Sequence, residues 1–376
     1  MDFEYSDDQR LLKDSIERFV QDNYAFDQRR KLVATEEGYS SDHWKLFAEQ
    51  GWLGMTFPEE HGGLGLGPVE TMIIMEAFGN GLVAEPYLPT VVLGAGAIRI
   101  GGSEAQKAEI LPAVAEGKLK MALGFAERQS RYNLADVETK ATRSDGGWTL
   151  DGMKGVVFGA PSADKFVVSA RTYGGSRDPL GVTLFLVDKK AKGVRVRSYP
   201  TADGLRAGEV YLEGVSVGPA DVVGAVDAGL PVLEQVIDNA IAAVCAEAVG
   251  AMKTSNDITL GYIKTREQFG QPIGKFQVLQ HRMVDMFIAH EEAKSMAMMA
   301  AMRVDEPDAA ERKKAISAAK VQIGKSGRYV GQQSIQLHGG IGMTDEYSIG
   351  HYFKRLTMID RSFGDTDFHL KRFGEL

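Results

Sequence analysis

The feature that most constrains this chain is a block of strand-like sequence with no helix inside it. Between Met121 and Val217, the stretches WTLDGMKGVVFG, DKFVVSA, GVTLFLVD, GVRVRSY and GEVYLEGV are short apolar or alternating runs parted by glycines. Branched and aromatic residues bounded by turn formers are the mark of strands. Asp151–Gly152 supplies a dipeptide suited to a hairpin turn. Parallel strands would each need a helical crossover, and this block has no room for one, so an antiparallel β domain is expected.

Helical periodicity lies on both sides of that block. Ser6 followed by Gln9 fits a capping box, with Leu11, Leu12, Ile16, Phe19 and Val20 at helical spacing behind it. Ser41 and Asp42 can open a second helix carrying Trp44, Phe47 and Ala48 that stops at Gly51. The glycine-rich loop FPEEHGGLGLGPVE leads, from Val69, into a helical stretch with Met72, Ile73, Met75 and Phe78, and a fourth helix covers Ser103 to Val114. After Gly229, runs beginning VLEQVIDNAIAAV, FQVLQHRMVDMF and AERKKAISAAKVQ are each long enough to cross a domain. The order predicts an α+β multi-domain chain: an N-terminal helical domain over 1–118, a middle antiparallel β domain over 119–228 and a C-terminal helical bundle over 229–376.

Composition narrows the function classes. A length of 376 residues with 44% hydrophobic content supports a sizeable core. Charges of 43 basic against 51 acidic residues, net −8, disfavour nucleic acid or an anionic membrane as main partner, and leave room for a local phosphate site. Cys245 is the only cysteine, so no internal disulfide can form and a reducing compartment is expected. The scattered histidines show no metal-ligand spacing. An acidic N-terminus and the lack of a long apolar run point to a soluble, cytoplasmic protein.

Three glycine- or arginine-bearing stretches invite a ligand. Gly63, Gly65 and Gly67 follow no strand and precede no crossover helix, which rejects a nicotinamide-dinucleotide fingerprint. HGGIGMTDEY (338–347) can lie against a phosphate or a planar ring because no Cβ blocks approach, and it serves equally as a helix C-cap. In KTREQFGQPIGKFQ (264–277), Arg266 can grip phosphate oxygens and Phe269 can pack on a heterocycle, although a lone arginine at a helix end is usually just solvated. The methionines of 283–302 read as adaptable core filler.

Four motifs together resemble the acyl-CoA dehydrogenase family: PEEHGGLGLG, LEGVSVGPADVVG, REQFGQPIGKFQ and QLHGGIGMTDEY, in that family's order and at its approximate spacings over essentially the whole chain. The resemblance implies N-terminal helices, a middle β domain and a C-terminal four-helix bundle assembled as a dimer of dimers. It also implies an FAD cofactor, oxidation of the Cα–Cβ bond of an acyl-CoA thioester by a glutamate base and the flavin, and an electron-transferring flavoprotein as acceptor. Arg266, Phe269, Gln277, Gln336 and Gly340 match family positions that hold the pyrophosphate and adenosine end of an FAD carried mainly by a neighbouring subunit, and Thr366 matches a flavin contact.

The resemblance breaks where chemistry is expected. Ala126 and Arg128 stand where the family has threonine and proline, and Val156-Val157-Phe158 replaces Trp-Ile-Thr, so the flavin-ring cradle lacks its hydroxyls and its tryptophan. Gly364 falls where the family's C-terminal glutamate base is expected, and Ala240 occupies the alternative helical position. Glu247 lies about 10 Å further along that helix. Three functions stay open. The chain is a base-poor subunit of a heterotetramer acting on a bulky or dicarboxylic acyl-CoA, such as a steroid side chain; or a homotetrameric enzyme of fatty acid degradation whose base has moved to Asp365; or a scaffold that keeps the fold without the chemistry. Asp365 otherwise caps the turn before FHLKRF.

Overall fold

The computed structural model describes residues 5–376. Helices α1 (Asp7–Asn23), α2 (Phe26–Val33), α3 (Ser41–Glu49), α4 (Pro68–Gly81), α5 (Ala95–Gly101) and α6 (Glu104–Ala115) precede the sheet. The capping box at α1 forms as the sequence predicts: Gln9 N–H donates to Ser6 Oγ at 3.2 Å and Ser6 N–H donates to Gln9 Oε1 at 3.0 Å. Its inner face buries Ile16, Phe19 and Val20, while Leu11, predicted on the same stripe, stays 68% exposed. The sequence reading lacks α2 and the wide turn Leu88–Gly94 that runs into α5. Prolines and glycines in PYLPTVVLGAGAI obscure the latter's period.

Eight strands form one sheet: β1 (Met121–Gly124), β2 (Lys140–Ser144), β3 (Gly147–Phe158), β4 (Lys165–Arg171), β5 (Val182–Asp188), β6 (Val194–Pro200), β7 (Arg206–Val217) and β8 (Val222–Val223). Their order is β6-β7-β3-β2-β4-β5-β8, with β1 pairing β4. Pairing is antiparallel as predicted, except that β1 runs parallel to β4 and β2 touches β4 in parallel at Lys140↔Arg171. The hairpin turn lies elsewhere than predicted. Ser144 pairs with Gly147, so the turn is Asp145–Gly146, with Gly146 at φ 82°, and Asp151–Gly152 sits inside β3 at a slip of register against β7. Both dipeptides suit a turn, but only the first has a strand on each side to pair across it. The sheet's buried face gathers Trp148, Leu150, Phe166, Phe185, Val210 and Val215. Each such side chain contributes about 1.5–3 kcal/mol on burial.

The C-terminal part comprises α7 (Leu230–Thr265), a short hairpin of β9 (Glu267–Gln268) and β10 (Gln271–Pro272), α8 (Gln277–Arg303), α9 (Ala309–His338), α10 (Ile349–Arg361) and α11 (Thr366–Glu375). Helices α8 and α9 run antiparallel: Arg282 bonds Gln333 at 2.9 Å near one end and Gln322 bonds Glu292 at 2.9 Å toward the other. The chain forms two compact units. One takes the residues up to Lys31, Pro68–Val83 and Ile241–Leu376; the other takes Leu32–Gly67 and Ala84–Ala240. Among the described residues no helix is long and apolar enough to cross a membrane.

Candidate functional site

In the helical unit, the residues expected on the adenosine side gather at one end of the bundle. The end of α7, the start of α8 and the end of α9 meet there, because α8 turns back through the β9–β10 hairpin and α9 runs antiparallel to it. Arg266 N–H donates to the Tyr262 carbonyl at 2.8 Å, so the arginine leaves α7 at a fixed angle. It makes no ion pair among the described residues and is exposed. The hairpin closes with the two-residue turn Phe269–Gly270, at φ 54° and 78°. A left-handed conformation is costly for phenylalanine, roughly 1–2 kcal/mol, and here it presents a ring that is 91% exposed. Gln277 opens α8, whose Phe276 N-cap provides no side-chain bond to the first N–H groups. Gln336 and Gly340 flank the end of α9, both exposed, and a Cβ on Gly340 would meet open space.

The turn between α10 and α11 has a different character. Phe363 and Gly364 adopt φ 60° and 118°, and their backbone is gripped from beneath. The fully buried Lys320 ammonium donates to the Gly364 carbonyl at 2.7 Å and the Asp360 carbonyl at 3.0 Å. Burial pulls that lysine down to about 8, against the opposing pull of Cys245, Asp360 and Asp365. His369 is held down at about 3, by burial first and then by the Lys320 and Arg372 charges, so its ring is neutral. The Phe363 carbonyl can only accept, which makes His369 Nε2 the donor at 3.1 Å and leaves Nδ1 to accept from Ser317 Oγ at 3.2 Å. A Cβ on Gly364 would lie 2.4 Å from His369 Nε2 and 2.6 Å from Phe368 Cδ1.

The carboxylates near this turn are already engaged. Asp365 Oδ1 accepts from Phe368 N–H at 3.0 Å as the cap of α11, and Oδ2 pairs with Arg361 at 3.0 Å. Thr366 is buried and donates its hydroxyl to Asp360 Oδ1 at 2.8 Å, while Arg328 takes Asp360 Oδ2 at 3.2 Å. On α7, Ala240 is fully buried, and Glu247 forms a buried two-point bond with Arg355, at 2.6 Å from each oxygen.

In the sheet unit, Gly155 N–H donates to the Ala126 carbonyl at 2.8 Å, which brings Ala126 beside Val156. Val156 is 44% exposed, and Phe158 follows at the end of β3. Immediately inside lies a buried pair. Lys154 Nζ donates to Glu127 Oε1 at 2.6 Å and Ser169 Oγ at 3.1 Å, and Glu127 also accepts from Thr139 Oγ1 at 2.7 Å and Glu138 N–H at 2.8 Å. Burial alone would raise Glu127; the Lys154 charge and these bonds overcome it and hold the carboxyl at about 2. This pair secures the segment carrying Ala126 to the strand carrying Val156.

Profiles for one family cover this order of elements: acyl-CoA dehydrogenase N-terminal domain over residues 6–118, middle domain over 122–215 and C-terminal domain over 227–375. The chain belongs to the acyl-CoA dehydrogenase family. It is 30% identical over 375 residues to mitochondrial isovaleryl-CoA dehydrogenase of Arabidopsis thaliana, covering 96% of this chain and 89% of that one. Among solved structures it matches a variant of the Tcur3481-Tcur3483 steroid ACAD with TM-score 0.87 and 29% identity, over 98% of this chain and 97% of that one. The ChsE4-ChsE5 complex from Mycobacterium tuberculosis matches with TM-score 0.89 and 26% identity, over 100% and 98%. The family's three-domain fold, helical, sheet and helical, is therefore the fold of this chain.

Acyl-CoA dehydrogenases are flavin-dependent oxidoreductases, and the two halves of an FAD site fit this chain unequally. On the adenosine side the parts fit: an unpaired Arg266, an uncapped α8 terminus suited to phosphate, an exposed Phe269 ring and open space above Gly340. On the ring side they do not fit. Ala126, Val156 and Phe158 offer no hydroxyl, and the hydroxyl of Thr366 is committed to Asp360. The sequence reading passes over Lys320 and His369, which fix the backbone of Phe363 and Gly364. A lysine inside the apolar run AISAAKVQIG was a legible signal for the first; nothing local marks the second.

Proposed function

We propose that this chain is the base-lacking subunit of a hetero-oligomeric acyl-CoA dehydrogenase, which completes the FAD site of a homologous partner subunit. The observation that carries the reading is the contrast between a 362–366 turn whose one acid, Asp365, is spent on a helix cap and an ion pair and whose space at Gly364 is filled, and the solvent-facing Arg266, Phe269, Gln336 and Gly340. Arg266 would pair with pyrophosphate oxygens, Phe269 would cover the adenine, and Gln336 with the Gly340 backbone would bound the same end. The partner would bring the glutamate and the ring contacts. Bound FAD would accept the hydride leaving Cβ as the α-proton passes to that glutamate, giving the enoyl-CoA, and an electron-transferring flavoprotein would collect the two electrons. The likeness to a steroid ACAD and to a two-component complex supports a bulky acyl-CoA substrate.

Co-expression with a homologue that carries the C-terminal Glu-Gly-Thr run tests the reading. The chain purified alone should hold little FAD, and the co-purified complex should be yellow and oxidise acyl-CoA. A full complement of flavin and robust turnover from the lone chain would overturn it.

A further inference from the structure

The segments carrying Arg266, Phe269, Gln336 and Gly340 converge on one buried ring. His338 ends α9, is 3% exposed and immediately precedes Gly339. Its ring stacks on Tyr262 of α7 at 4.4 Å and 29°, and packs against Tyr347 at 5.1 Å and 50°. Tyr262 in turn holds Arg266 through its carbonyl, at the root of the hairpin that carries Phe269. Gly342 of the glycine loop lies so close that a Cβ there would approach His338 Cβ to 3.0 Å. One side chain thus touches the α7 end, the glycine loop and the segment beyond it.

The ring's protonation state follows from its bonds. Nδ1 lies 2.7 Å from the Ser334 carbonyl, which can only accept, so Nδ1 carries the proton. Nε2 is buried with no partner among the described residues, as is Ser334 Oγ. Burial lowers the histidine's pKa below its ordinary value, and the Ser334 carbonyl opposes this only in part. The titratable groups facing the ring are the phenols of Tyr262 from α7 and Tyr347 from the segment after the loop; its own helix presents Ser334.

We propose that His338 is the positioning residue of the dinucleotide grip: its neutral imidazole, clasped by Tyr262 and Tyr347, holds the Arg266–Phe269 hairpin and the glycine loop in one arrangement, and acid releases it. This rests on the reading of Arg266, Phe269, Gln336 and Gly340 as an FAD grip. A protonated Nε2 would be a buried donor facing no acceptor, which costs more than stacking on the tyrosine faces returns. The slot opens instead, and the hairpin and the loop lose their common anchor.

Hydrogen exchange of the full-length chain tests this, read as protection of segments 264–272 and 339–343 from about pH 8 to about pH 5, with and without millimolar ADP as the probe. The native chain should lose protection on the acid side, and ADP should add protection near neutrality and none in acid. His338→Phe keeps a ring and His338→Asn keeps a donor, but neither titrates, so the acid loss should vanish in both. Losing the stack in His338→Asn should weaken ADP protection about fivefold. Tyr347→Leu, at a half-buried position, should weaken it similarly and covers the case in which a His338 variant does not fold. An acid loss that persists in the variants, or ADP protection equal to native in all of them, overturns the proposal. A native chain that gains no protection from ADP at any pH refutes the FAD-grip reading itself, and His338 then has nothing to position; that failure is visible without any variant.

Discussion

Gly364 shows why a glutamate cannot simply be written into the turn before α11. Its φ of 118° is strained for any L side chain, and the space a Cβ needs is held by the His369 and Phe368 rings. Gly364→Glu should therefore cost at least about 2 kcal/mol in stability and confer no dehydrogenase activity on the lone chain; thermal melting and an acyl-CoA turnover assay check both. Asp365 gives the complementary test. Asparagine is as good an N-cap as aspartate, and the Arg361 pair is exposed on the arginine side. Asp365→Asn should thus leave melting within about 1 kcal/mol and leave the turnover of the reconstituted complex unchanged, whereas a large drop in turnover would revive Asp365 as a base. The Glu127–Lys154 pair belongs to stability alone. Removing one partner, as in Lys154→Met, strands the other charge in the core and should cost about 3–5 kcal/mol by denaturant unfolding. Glu127 is depressed to about 2, so its contribution is fully present above its ordinary value of about 4.5 and is lost as pH falls through 2. Glu127→Gln should accordingly flatten the acid limb of the stability curve.

Among the elements, the β9–β10 hairpin is the clearest case of structure kept at a cost. Two successive left-handed residues hold an aromatic ring in solvent, and among the described residues the ring's one aromatic neighbour is Phe276, edge-on at 6.1 Å. Since the ring is 91% exposed, Phe269→Ala should change the chain's own stability by less than about 0.5 kcal/mol. The same change should loosen FAD in the complex by roughly 2- to 10-fold, the worth of one aromatic stack, as flavin release on dilution would measure. Legibility differs between elements in a physical way. The α1 cap is readable because Ser6 and Gln9 satisfy each other within one turn, and REQFGQPIGKFQ is readable as one block because it is contiguous. Asp145–Gly146 and Asp151–Gly152 carry the same local code, and only cross-strand pairing with β2 selects Asp145–Gly146 as the turn. Gly364 reads in sequence as a simple vacancy. That it is also filled depends on the Phe368 and His369 rings, which the first turns of α11 fold back over it, while Lys320 holds its carbonyl from the distant α9; the glycine itself encodes neither contact.

For the whole molecule, the proposed sharing of one FAD between two subunits sets a stoichiometry. An adenosine grip that reaches across an interface serves the ring cradle of the other subunit, so a pair of identical copies of this chain would present two grips and no competent cradle. On the proposed reading, a pair made with a homologue that has both parts would present two grips and one cradle, because the homologue's grip would meet Ala126, Val156 and Phe158 here. The co-purified complex should therefore bind one FAD for each pair of chains, not one for each chain. Flavin absorbance against protein mass, with native mass spectrometry for the chain ratio, reads this directly. Arg266→Ala in this chain should then empty that single site, since truncating a phosphate-bound arginine typically removes a charge-assisted bond of about 1.5–3 kcal/mol. The equivalent change in the homologue should leave flavin content intact, because its grip serves a cradle that already holds nothing. Two FAD per pair, or flavin lost from the homologue's variant instead, would mean that the ring side of this chain is competent despite its side chains, and the division of labour between the subunits would have to be reversed.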